Sequence, residues 1–111
     1  MAIKINIKYN GDSISSISAK GHANFAQVGY DIVCSAVSAL LQTAVTGIEA
    51  VVKSDDFYKY KDGFLSFKVP SITDEKVRSN VDFLLNAIKM GLLEIEKQYP
   101  ACLKIEKESK H

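Results

Sequence analysis

Apolar and polar residues alternate from the start of the chain. Over residues 2–9, Ile3, Ile5, Ile7 and Tyr9 share one side while Lys4, Asn6 and Lys8 share the other, the period of a half-buried strand. Asn10-Gly11-Asp12 follows and suits a tight turn, because Asn and Gly tolerate positive φ. A second strand at about 13–20 completes a predicted hairpin. The next ten residues, GHANFAQVGY at 21–30, fit neither the strand nor the helix period. Gly21 and Gly29 bound this stretch, which is expected to be a long loop able to hinge at its glycines.

A helical period begins at Asp31 and runs to about Lys53, with Val33, Val37, Leu40, Leu41, Ala44, Ile48 and Val52 on one face. Asp31 is the expected N-cap, its carboxylate accepting a first-turn N–H. Ser35, Ala36, Ser38 and Ala39 are small and are expected to let the first turns pack closely, in a helix apolar over most of its circumference and central to the fold. Alternation returns from Phe57 to Lys61 and again at Leu65, Phe67 and Val69, with Asp62-Gly63 between them, so a second hairpin is predicted. After Pro70, Thr73 is the expected N-cap of a second helix, with Asp74 and Glu75 in its first turn and Ile72 and Val77 as a hydrophobic staple. That helix buries Val77, Val81, Leu84, Leu85, Ile88, Leu92 and Ile95 and stops before Pro100. Leu103 and Ile105 mark a short last strand, and residues 106–111 are expected to fray.

The order ββαββαβ predicts an α+β sandwich with a mainly antiparallel sheet and both helices on one face. Two hairpins, each followed by a helix, hint at a structural pseudo-repeat. With 111 residues the chain suits a single domain over 1–111, and the composition, 47% hydrophobic and 24% charged, is that of a folded protein. Net charge is +1, from 14 Lys and Arg against 13 Asp and Glu. The basic residues are scattered and form no run, which argues against direct nucleic-acid binding. The first residues read as a strand and not as a signal peptide, and no apolar stretch is expected to be long and charge-free enough to cross a membrane. Cys34 and Cys102 have no metal-type or CxxC spacing and are expected to be reduced thiols of a cytoplasmic protein. Neither metal nor cofactor is expected.

Folding accounts for most of the chain but not for the stretch from Gly21 to Leu40. It places His22 on a loop before Cys34 near the start of a helix. With Asp31 as cap, Cys34 is the third helical residue, close to unpaired N–H groups and the positive end of the helix dipole. Those groups favour a thiolate and can hold an oxyanion, and a histidine that swings toward the thiol can accept its proton. On this chemistry alone other readings stay open. Cys34 also suits a buried packing residue, His22 an exposed loop residue, Asp31 a simple cap and Ser38 a small contact residue. Cys102 is expected to be inert.

The segment GHANFAQVGYDIVCSAVSAL resembles the bacterial ribosomal-processing cysteine protease family. The resemblance rests on Gly21-His22-Ala23 and on the frame Gly29-Tyr30-Asp31-Ile32-Val33-Cys34-Ser35-Ala36-Val37-Ser38. Ser35 departs from the alanine expected beside the nucleophile. The resemblance implies a cysteine endopeptidase that removes the N-terminal extension of a large-subunit ribosomal protein, as ribosome assembly requires, cutting after paired phenylalanines in a hydrophobic leader. It implies Cys34 as nucleophile, His22 as general base, a homodimer, and a glycine-bounded loop covering the substrate site. Phe25, Val28 and Tyr30 are then expected to line an apolar groove, and Asp31 to orient His22 when the loop closes. The rival readings are a non-catalytic ribosome-assembly or peptide-binding module, and a redox protein acting through Cys34. The second lacks an evident resolving thiol.

Overall fold

Seven elements follow one another in the computed structural model, which describes residues 3–21, 30–54, 56–61 and 64–110. They are β1 (Ile3–Asn10), β2 (Ser13–Lys20), α1 (Tyr30–Val52), β3 (Tyr58–Lys61), β4 (Phe64–Lys68), α2 (Glu75–Gln98) and β5 (Leu103–Lys110). The expected order ββαββαβ and α+β class are thus observed. The strands form one five-stranded sheet in the order β3-β4-β2-β1-β5. Both hairpins are antiparallel, and their second strands, β2 and β4, pair antiparallel as well. Only β5 runs parallel to its neighbour β1, so the sheet is mixed but mainly antiparallel. Gly11 turns the first hairpin at φ 65, a left-handed conformation that glycine adopts without steric cost. The Asp62-Gly63 turn of the second hairpin lies outside the described residues.

The period-2 pattern sorts the sheet into two faces. Ile3, Ile5, Ile7, Ile17, Ala19, Leu65, Phe67 and Leu103 point to the helices and are buried. From α1, Val33, Val37, Leu41, Ala44, Val45 and Ile48 close the core, and from α2, Val81, Leu85, Ile88 and Leu92. Each such aliphatic side chain contributes about 1.5–3 kcal/mol by leaving water. The helices approach closely where Gly47 faces Leu84 and Gly91 faces Leu40; a Cβ on Gly91 would lie 3.2 Å from Leu40 Cδ1.

The structure corrects several expectations from the sequence. Helix α1 begins at Tyr30, so Asp31 lies inside its first turn and is not its N-cap. Asp74, not Thr73, caps α2: its carboxylate accepts from the N–H of Lys76 at 2.9 Å and of Val77 at 3.1 Å. Both Thr and Asp can cap, and one residue of phase decides between them. Ile72 and Val77 still pack against the core. Ser35, Ser38 and Ala39 are exposed and Ala36 half-buried, so three of the four small residues in the first turns do not serve close packing, and the helix is not enclosed. Residues 106–110, expected to fray, continue β5 alongside β1 as far as Lys110. Their polar side chains gave no apolar face to recognise, but the strand is held through backbone pairing. The segment Ile32–Val52 has a mean hydropathy of 1.5 and is long and apolar enough to cross a membrane, contrary to the expectation that no stretch is. Glu49 is its one charged residue. In the fold its apolar stripe meets the sheet, as in the core helix of a globular protein.

Candidate active site

The first turns of α1 lie over the end of the sheet where β2 delivers the chain to Gly21. There Cys34, Val37, Ser38 and Leu41 of α1 meet Ile3, Ala19, Lys20 and Gly21, and Tyr60, Phe64 and Leu65 of the second hairpin close the far side. Together they enclose a cavity of about 90 Å³. Its walls are mainly apolar, with Cys34 and Ser38 lining it from consecutive turns of one helix. Cys34 is half-buried, whereas Cys102 is 3% exposed and part of the core. Only Cys34 is therefore placed to meet a ligand.

Starting α1 at Tyr30 makes Cys34 the fifth helical residue, not the third. Its own N–H belongs to the regular ladder, and the amides without an intrahelical partner in the described first turn are those of residues 30–32. The Cα–Cβ bond of a helical residue tilts toward the helix N-terminus, so position 34 is directed toward that amide-rich turn. Any oxyanion contact from the helix must come from this preceding turn and not from the Cys34 N–H.

Gly21 shows why a glycine begins the next segment. A Cβ there would lie 3.1 Å from Ile3 Cα and 3.2 Å from Ile3 Cγ1, too close for the backbone to accept without shifting. The expected hinge is thus at one end a packing requirement that sets where the chain leaves β2. His22, Phe25, Val28 and Gly29 lie outside the described residues, and Tyr30 and Asp31 are described in their backbone only. The structure therefore brings together Cys34, Ser38 and Gly21 of the expected site. His22 follows directly in sequence after the cavity-lining Gly21.

The sequence reading missed Tyr60 and Phe64. Tyr60 is 65% exposed and Phe64 37%, large rings left open to solvent beside the cavity. An exposed aromatic pair flanking a hairpin turn was the available signal, but alternation assigned these residues only to strands. Among the described residues no group of three or more His, Cys, Asp or Glu side chains gathers as a metal site.

Comparison with known proteins places the chain and its fold. A Mycoplasma genitalium ribosomal processing cysteine protease Prp is 35% identical over 109 residues, covering 96% of this chain and 97% of its own. The Bacillus subtilis protein of the same name is 28% identical over 106 residues, covering 93% and 95%. In fold, a Streptococcus mutans crystal structure superposes with a TM-score of 0.82 at 22% identity, covering 98% of this chain and 96% of that one. The crystal structure of the essential ribosomal processing protease Prp from S. aureus with a substrate peptide gives a TM-score of 0.79 at 21% identity, covering 96% and 99%. The model of the family described as Cysteine protease Prp matches residues 2–104, and with that match this chain belongs to the Prp cysteine protease family.

Proposed function

We propose that the protein is a cytoplasmic cysteine endopeptidase that removes the N-terminal extension of a large-subunit ribosomal protein, with the Cys34 thiolate as nucleophile and His22 as general base. The observation that carries this reading is the placement of Cys34: a half-buried thiol one turn into α1, on a mainly apolar cavity that Gly21 also lines, with His22 next in sequence. The helix end favours the thiolate and offers N–H groups to the tetrahedral oxyanion. His22 takes the thiol proton and returns it to the leaving amine. Tyr60 and Phe64 extend the apolar wall that a hydrophobic leader needs, and Phe25, Val28 and Tyr30 complete it when the segment 21–30 closes over substrate and excludes water. Asp31, in the first turn, orients His22 in that closed state. Ser38 supports the site from the turn below Cys34. The protein acts as a homodimer, for which the outward helix face bearing Ile32, Phe83 and Met90, all largely exposed, offers an apolar surface.

The reading is tested with a leader peptide containing paired phenylalanines, followed by mass determination. Wild type is expected to release two fragments under fully reducing conditions. Cys34→Ala is expected to bind the peptide and release none, because affinity comes from the groove and the nucleophile acts only in the reaction. Cleavage by Cys34→Ala at a rate near wild type would remove the mechanism.

A further inference from the structure

The face of the sheet turned away from the helices is the largest feature that proteolysis does not use. Strand register sets its composition. Every second residue of each strand points outward, so lysines scattered in the sequence converge on one surface. Lys104, Lys4 and Lys20 lie directly across from one another on β5, β1 and β2. In a second row, Asn6 of β1 pairs with Ser18 of β2, Ser18 with Ser66 of β4, and Ser66 with Lys59 of β3. In a third, Lys8 pairs with Ser16, and Ser16 with Lys68. All six lysines are exposed. Glu106 and Glu108 stand at the β5 border, and Asp56 at the opposite rim accepts from the Ser54 hydroxyl at 2.6 Å. Positive charge still exceeds negative here, although the whole chain carries only +1, so the rest of the molecule is acidic on balance.

Two observations show that this face is suited to a ligand and is more than a solvated surface. Like charges directly opposite on neighbouring strands destabilise a sheet, and the Lys104–Lys4–Lys20 row is such an arrangement. An anion lying across it relieves the repulsion. In addition, the face is concave. Asn6, Ser18 and Ser66 line a trough of about 710 Å³, with Lys8, Lys59 and Lys68 around it. Asn6 Oδ1 is buried there without a hydrogen-bond partner, a state that a donor drawing the amide round would repair.

We infer that this face binds a single strand of RNA, the lysines pairing with phosphates and the serine and asparagine groups meeting 2′-hydroxyls and base edges. Phe64, which lines both the trough and the Cys34 cavity, offers a ring on which a base can stack. A second copy of this chain would oppose lysine to lysine, and an acidic protein would leave the hydroxyl floor and the ring without a matching group. The choice of RNA among polyanions rests on the reading that the substrate belongs to the ribosome. The trough lies across the sheet from α1 and meets the Cys34 cavity at Phe64, so RNA bound there would anchor the protease to an RNA-containing particle beside its own site.

Fluorescence anisotropy with a labelled 20-nucleotide oligouridine, over a series of KCl concentrations, tests this. Wild type is expected to bind with a Kd of about 10⁻⁶–10⁻⁴ M and to weaken steeply with salt. The combined variant Lys8→Gln, Lys59→Gln, Lys68→Gln is expected to bind more weakly and to lower the slope of log K against log salt by about 2, as three lost phosphate contacts require. These lysines lie outside the Cys34 cavity, so the same variant is expected to cleave the leader peptide at the wild-type rate, which also reports an intact fold. Failed cleavage by wild type would count against the protease reading and leave the RNA result standing. An unchanged slope and affinity in the variant would overturn the inference. So would competition by poly-aspartate equal to that of unlabelled oligouridine, which would assign the face to acidic protein.

Discussion

The two helices each follow a hairpin, yet their N-terminal ends are used differently. At α2 the connection from β4 is brief and ends on Asp74, whose carboxylate takes the N–H groups of Lys76 and Val77. That end is neutralised and structural. At α1 a longer connection begins at Gly21, and the cavity lies one turn further in, lined by Cys34 and Ser38. The same local physics, amides without an intrahelical partner and a positive dipole end, serves stability in one case and on the proposed reading serves the Cys34 thiolate in the other. What separates them on that reading is a capping carboxylate at the start of α2 and a thiol with room beside it one turn into α1.

Substitutions at the two ends sharpen that contrast. His22→Ala is expected to slow leader cleavage by about 10²–10⁴-fold, the usual worth of general-base assistance, with little change in thermal stability. A loss below tenfold would mean that the helix end alone maintains the thiolate. Asp74→Ala should do the opposite: it removes two N–H contacts and costs about 1 kcal/mol of stability. A thermal melt should show a fall of about 4 °C, with cleavage unchanged at temperatures where the protein is folded. If Asp74→Ala slowed cleavage as much as His22→Ala, the division between a structural and a chemical helix end would fail. The smallest effect is expected at Cys102. Buried in the core, it should label with iodoacetamide more slowly than Cys34, as peptide mapping at partial labelling will read, and Cys102→Ala should cut at the wild-type rate.

Both hairpins and both helices were legible in the sequence, because their apolar residues recur at two distinct periods and core burial depends on those periods. Pattern alone left Cys34 equally suited to packing, and only its place on the cavity wall, half-buried, is seen in the fold; its chemical role rests on the family frame. Other features were hidden for identifiable reasons. The cap of α2 turned on a one-residue choice between Thr73 and Asp74. Strand β5 continues through Glu106, Lys107 and Glu108, which carry no apolar face, and its partner β1 lies about a hundred residues earlier. Tyr60 and Phe64 approach Cys34 only because β2 and β4 pair, a long-range contact that no local period encodes. That pairing, with the β1–β2 hairpin, brings Lys4, Lys20 and Lys68 to one face.

The borders of the sheet have a consequence for the protein in crowded solution. A sheet edge with unpaired backbone groups is a template on which another chain can add a strand. One border here is β3, four residues long, too short to seed much pairing. The other is β5, where Lys104, Glu106, Lys107 and Glu108 line the free edge with charges of both signs. An incoming strand would have to match that pattern on both of its faces while giving up its own hydration. The all-polar end of the chain thus works as a barrier to self-association through strand addition, so replacing those charges with Val or Ile should turn a dispersed protein into one that precipitates as its concentration rises.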